Sequence, residues 1–243
     1  MREQFEQWMK EELAELGIEL SEKQLNQFYQ YYELLIKWNE VMNLTAITEM
    51  DQVITKHFVD SLSLIKAVPD LAEKPYMILD LGTGAGFPGV PLKIGFPNLK
   101  LTLVDSLNKR IKFLDGVIEE LGLADIKAVH GRAEDFGKNK DYRECFDLCV
   151  SRAVANLSTL SEYCVPFVKK DGYFIPYKSG KIEEELSQAK GAVKLLGGKI
   201  EEVVSFQLPK TDVERTLVKI AKIENTSKKY PRKAGLPRKE PLK

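Results

Sequence analysis

The stretch Ile78-Leu79-Asp80-Leu81-Gly82-Thr83-Gly84-Ala85-Gly86-Phe87-Pro88-Gly89 constrains this chain more than any other. A short apolar run leads straight into glycines, which accept left-handed backbone and let a ligand lie close. Such a turn sits at the carboxyl end of a buried strand and receives a nucleotide or nucleoside. The dinucleotide fingerprint asks for glycine where Phe87 stands, and Pro88 removes an amide donor that a pyrophosphate would need. No Gly-Lys-Ser/Thr follows, so a P-loop is excluded. The loop suits a nucleoside without a phosphate chain.

The surrounding rhythm agrees with a buried sheet. Apolar runs at 76–81, 99–104, 126–130, 146–150 and 173–177 alternate with helical patterns near 88–96, 106–121, 156–168 and 181–195. That order predicts right-handed βαβ units on a parallel sheet covered on both faces. Residues 199–208 and 214–223 alternate like an antiparallel pair, so the fold class is α/β with seven strands, mostly parallel. Upstream, Phe5, Trp8, Met9, Leu13 and Leu16 share a helical face that Gly17 ends. Ser21-x-x-Gln24 is a capping box before a second helix. Val53, Ile54, His57, Phe58, Leu62 and Ile65 mark a third helix over about 50–67. Three parts are expected: an N-terminal helical extension (1–72), the sheet domain (73–226) and a basic C-terminal tail (227–243).

Net charge is zero, but its distribution is not even. Residues 1–74 hold 7 Lys/Arg against 14 Asp/Glu, and residues 227–243 hold 7 against 1. An acidic head and a basic tail make the sum uninformative. No apolar run approaches the ~20 residues of a membrane span, and the charged N-terminus has no signal-like h-region. Cys145, Cys149 and Cys164 are odd in number and lack metal-ligand spacing, so no disulfide framework and no metal are expected. A cytoplasmic protein without membrane partners follows; nothing in the sequence suggests an obligate oligomer, so a monomer is expected.

Asp105 ends the second strand and is placed to accept both ribose hydroxyls. Gly131-Arg132-Ala133-Glu134 follows the third, where a backbone amide and the Glu134 carboxyl can read a base edge. Asp80 belongs to the same site, or else caps the loop's amides. With Gly82, Gly84 and the Phe87 loop, this order resembles class I S-adenosylmethionine-dependent methyltransferases, which are Rossmann-like. The whole chain resembles the bacterial ribosomal RNA small subunit methyltransferase G family, also called glucose-inhibited division protein B. The matching stretches are Asn43-Leu44-Thr45-Ala46-Ile47, His57-Phe58-Val59-Asp60-Ser61, the glycine loop through Gly89, Arg132-Ala133-Glu134, Ser151-Arg152-Ala153 and Tyr230-Pro231-Arg232. The resemblance implies S-adenosyl-L-methionine as cofactor, lined by Gly82, Phe87, Ala133, Glu134 and Arg152. It also implies methyl transfer to N7 of a guanine in small-subunit (16S) ribosomal RNA, presented as RNA or as a 30S precursor particle.

The chemistry of that product agrees with the sequence. Guanine N7 carries a lone pair and no proton, so placement suffices and no general base is needed. After the fourth strand stands Ser151-Arg152-Ala153-Val154, not the Asn/Asp-Pro-Pro-aromatic motif expected of an amine methylase. The cysteines read as core rather than nucleophiles, and His57 and His130 as structural. Arg152 is the candidate catalytic residue: it reaches the methionine carboxylate, an RNA phosphate or guanine O6, or forms a surface ion pair. Lys178 has similar placement after the fifth strand. Lys228, Lys229, Arg232, Arg238 and Lys239 either contact RNA phosphates or belong to a solvated terminus. Competing readings are a nicotinamide oxidoreductase, a protein or small-molecule methylase, and a non-catalytic cofactor-binding module.

Overall fold

The computed structural model describes residues 1–152, 155–180 and 182–243. The expected helix start at Lys181, and Ala153 and Val154 of the Ser151 motif, lie outside the described residues. Seven strands form one sheet in the order β3-β2-β1-β4-β5-β7-β6. They are β1 (Met77–Leu81), β2 (Lys100–Asp105), β3 (Ile126–His130), β4 (Phe146–Ser151), β5 (Val168–Ser179), β6 (Gly198–Gln207) and β7 (Glu214–Lys222). The first five run parallel, and β7 pairs antiparallel with both β5 and β6. The order reverses at β1, so a crevice opens above the carboxyl ends of β1 and β4. Register brings Leu81 beside Val104, and Asp105 beside His130, at one edge of that crevice.

Both faces of the inner strands β1, β2 and β4 are covered, which is why they read as apolar runs, while the edge strands β3 and β6 are partly exposed. Consecutive residues alternate between two cores: Ile78 and Leu148 belong to one, Leu79 and Cys149 to the other. Each fully buried aliphatic or aromatic side chain contributes ~1.5–3 kcal/mol. The first core also holds Phe5, Met9, Phe28, Tyr31, Leu35 and Phe58 from the N-terminal helices. Those are α1 (Arg2–Ala14) and α2 (Glu22–Met42), followed by α3 (Met50–Val53), a π-helical segment Ile54–Val59, α4 (Asp60–Leu62) and a 3-10 turn Ser63–Lys66. The Ser21–Gln24 capping box forms on both sides. The third helix was expected to be regular; its wide π turns rotate the residues beyond Val59 relative to an unbroken α pattern.

The sheet's helices are α5 (Gly89–Gly95), α6 (Asn108–Glu120), α7 (Ala133–Phe136), α8 (Leu157–Cys164), α9 (Glu183–Leu195) and α10 (Leu236–Lys239). Two boundaries differ from expectation. The helix expected to run to 168 ends at Cys164 with a 3-10 turn containing Pro166, and β5 begins at Val168. Proline cannot continue the α ladder, so the chain leaves the helix there. The basic tail is docked rather than solvated: Tyr230 is 5% exposed and belongs to the second core.

Candidate functional site

The glycine loop is held in one shape by its neighbours. Gly82, Gly84 and Gly86 all adopt positive φ, at 73°, 62° and 101°. At Gly86 an added Cβ would stand 2.7 Å from the Tyr31 hydroxyl and 2.7 Å from Val90 Cγ2. Tyr31, on α2, donates to the Ala85 carbonyl at 2.5 Å. Asp80 is fully buried beneath the loop; its Oδ2 accepts from Thr83 Oγ1 at 2.6 Å and Gly89 N–H at 2.8 Å. Its Oδ1 is buried without a hydrogen-bond partner among the described residues, and burial raises this carboxyl to about 7. Asp80 therefore ties the loop to the first turn of α5, the capping role of the two expected for it, and does not line the cleft.

Above the loop lies a cleft of about 810 Å³, floored by Gly82, Gly84 and Ala85 and walled by Phe87, Asp105, Ala133 and Glu134. That volume is in the ~300–1,000 Å³ range of small-ligand sites. Asp105 is 3% exposed and already accepts from Gly84 N–H (2.9 Å), Leu107 N–H (2.9 Å) and Arg110 Nη1 (3.1 Å). A carboxylate has about four acceptor positions, so one remains for a ribose hydroxyl. Glu134 is buried, and its Oε1 accepts the Gly235 N–H at 3.0 Å. Its Oε2 has no hydrogen-bond partner among the described residues. The open glycine floor, the β2 acid and this second carboxyl oxygen suit an adenosyl group: backbone below, acceptors for ribose and base amine at the side.

Arg152 lines the cleft, but its guanidinium points toward the helical head. It pairs with Asp60 Oδ2 at 3.3 Å and donates to His57 O, Ser61 Oγ and Lys56 O at 3.1–3.2 Å. Asp60 is 0% exposed and also receives both arms of Arg215, at 2.6 and 2.9 Å. Arg152 is thus held in an internal ion triad, not in the surface ion pair that was the alternative expected for it. The His57 ring stacks on Phe87 at 4.4 Å, and the Arg152 guanidinium lies 5.5 Å from the same ring. His57 Nδ1 faces an Arg152 donor at 3.3 Å, so Nε2 carries the proton and donates to Thr45 Oγ1 at 2.8 Å. Burial, then the Arg152 charge, pushes this imidazole down to about 3.

Two further cations are committed to internal pairs. Lys178 Nζ binds Glu185 at 2.6 Å and the Ala155 carbonyl at 2.8 Å. Arg232 grips the fully buried Glu162 through its amide and guanidinium at 2.7–3.1 Å. Lys228, Lys229, Arg238 and Lys239 remain exposed, and only Arg238 of these lines the cleft. Cys149 and Cys164 are buried. Burial pushes the Cys149 thiol well up, away from nucleophilic use. Sequence reading missed Asp60, Arg215, Tyr31 and Gly235. Asp60 and Ser61 stand in the His57 stretch, which was the one available signal; the others act only across long sequence separations.

The chain is similar to known proteins along most of its length. Residues 24–218 match the family model described as rRNA small subunit methyltransferase G. The ribosomal RNA small subunit methyltransferase G of Lachnoclostridium phytofermentans is 58% identical over 95% of this chain and 94% of its own. That of Lactobacillus johnsonii is 52% identical over 95% and 97%. Among solved structures, a sarcosine dimethylglycine methyltransferase assigned in Galdieria sulphuraria superposes with TM-score 0.54 at 14% identity, over 73% of this chain and 89% of that one. M. jannaschii TYW2 in complex with AdoMet gives 0.52 at 14%, over 68% and 77%. These two share the fold alone; the family assignment comes from the longer and closer matches. The chain belongs to the rRNA small subunit methyltransferase G family and is an S-adenosylmethionine-dependent methyltransferase.

Proposed function

We propose that this chain methylates N7 of a guanine in small-subunit ribosomal RNA, by placement and without a dedicated general base. The supporting observation is the state of the acids and bases around the cleft. Asp105 is occupied by three donors, Glu134 is held by a backbone amide, and His57 lies behind Phe87 with its proton shared with Thr45. The carboxylates' remaining acceptor positions are assigned to the adenosyl group, which leaves none of the three to take a proton from an exocyclic amine. N7 needs none removed, since its lone pair is already available.

Bound S-adenosylmethionine supplies a methyl group activated by its sulfonium. Gly82, Gly84, Asp105, Ala133 and Glu134 would hold the nucleoside, and Phe87 would close one wall. Arg152, fixed by Asp60 and stacked near Phe87, keeps that ring in position. The exposed cations Arg238, Lys239, Lys228 and Lys229 are the proposed phosphate contacts.

The test is to map 7-methylguanine in small-subunit RNA by reductive cleavage, with and without this protein. Scission at one guanine only in the first sample is expected. Its absence, or a modified exocyclic amine instead, would sink the N7 assignment.

A further inference from the structure

The C-terminal segment was read as an RNA-facing tail, yet it is fastened to the molecule at every turn. Arg143 donates to Thr226 O at 2.6 Å and Tyr230 O at 2.8 Å, and so clamps its start. Arg232 locks onto Glu162, whose side chain is 0% exposed. Beyond it Thr159 Oγ1 donates to Pro237 O at 3.0 Å, and Leu242 packs against the second core. Between the Arg232 and Pro237 anchors lies one tight turn, with Gly235 at φ 81°. A short turn fixed at both ends offers few positions for its amide, and this amide meets Glu134 Oε1 at 3.0 Å. Gly235 and Arg238 both line the cleft beside Glu134.

We infer that residues 230–239 form a strap that is part of the cofactor site, with the Gly235 amide and the Arg232–Glu162 anchor acting as positioning groups for Glu134. The inference rests on the reading that Glu134 contacts the adenosyl ligand. A carboxylate held by one oxygen presents the other in a single orientation, so its ordering is complete before the ligand arrives. Without the strap, that ordering is lost and the binding energy must supply it. Linkage makes the effect reciprocal: a docked strap tightens the ligand, and bound ligand tightens the strap.

The experiment uses the full chain and S-adenosylhomocysteine as the probe. Arg232→Gln breaks the ionic anchor, and Arg232→Lys keeps its charge but not its two-armed grip. Calorimetry well below the unfolding transition is expected to show affinity falling by about 5- to 100-fold in the glutamine variant, the usual span of a coupling between sites. The lysine variant falls between it and the natural protein. In the unaltered protein, saturating ligand is expected to slow tryptic cleavage after Lys233 severalfold. A purely structural anchor would lower thermal stability and leave both readouts unmoved. Unchanged affinity in Arg232→Gln, or a cleavage rate indifferent to ligand, overturns the inference. Failure of the unaltered protein to bind the probe would instead overturn the reading of the cleft itself.

Discussion

At the scale of single residues, the site holds two buried groups that titrate in opposite senses. Asp80 ordinarily ionises near 3.8 and is raised to about 7 by burial. Below about 4 it is protonated in both folded and unfolded chains. As pH rises toward 7 the unfolded chain releases the proton and the folded chain keeps it, so stability falls. His57 is depressed from 6.5 to about 3, so it is neutral in the fold throughout that window. As pH falls below 6.5 only the unfolded imidazole gains a proton, and stability falls in the other direction. Each slope approaches ~1.4 kcal/mol per pH unit, and between about 4 and 6.5 they oppose each other. Asp80→Asn should therefore make the protein lose stability more steeply on acidification, while His57→Gln should make it gain stability relative to its own value at neutral pH. Urea midpoints across that range read both slopes; parallel profiles for all three proteins would refute the pairing.

At the scale of elements, the glycine loop shows what a sequence discloses and what it withholds. The strand–glycine–helix order, the acid at the end of β2 and the second acid after β3 were legible. Each depends on neighbours a few residues away or on a period the eye can count. Gly89 illustrates the packing behind that legibility: a Cβ there would stand 2.2 Å from Leu103 Cδ2 and 2.9 Å from Asp80 Oδ2. Gly89→Ala is expected to cost ~1–3 kcal/mol by overpacking and to lower cofactor affinity through the loop, as thermal melts with and without ligand would show. The Asp60 triad was not legible. It joins residues separated by 92 and 155 positions, and the π-helical segment that precedes Asp60 breaks the period by which a helix face is counted. Removing its centre leaves two arginines uncompensated, so Asp60→Ala should destabilise by ~3–5 kcal/mol, with denaturant unfolding as the measure. A loss under 1 kcal/mol would mean that Arg152 and Arg215 find other partners.

At the scale of the whole molecule, a charge count describes the tail only in part. Six excess positive charges in 17 residues describe a composition. They do not say that Tyr230 is a core residue, or that Arg232 has a buried acid waiting on α8. The count is still useful once the docked cations are set aside. Arg238 is exposed at the cleft, whereas Lys178 is bound to Glu185. Arg238→Gln is expected to flatten the salt dependence of RNA binding by roughly 0.7–0.9 in slope, one phosphate contact. Lys178→Gln is expected to leave that slope alone. Filter binding over a series of salt concentrations distinguishes them, and equal slopes for both variants would remove Arg238 from the interface.

The hydrogen bond from Gly235 to Glu134 spans 101 positions and joins the turn before α10 to α7, just past the end of the edge strand β3. A nascent chain emerges from its amino end, so this bond must wait until the 101 positions from Glu134 to Gly235 have been made. A product cut short between Glu134 and Gly235 would carry the glycine loop and both acids, yet lack the amide that bonds to one of them. On the strap reading, methyl-donor capture would then report that this segment has been made and has docked.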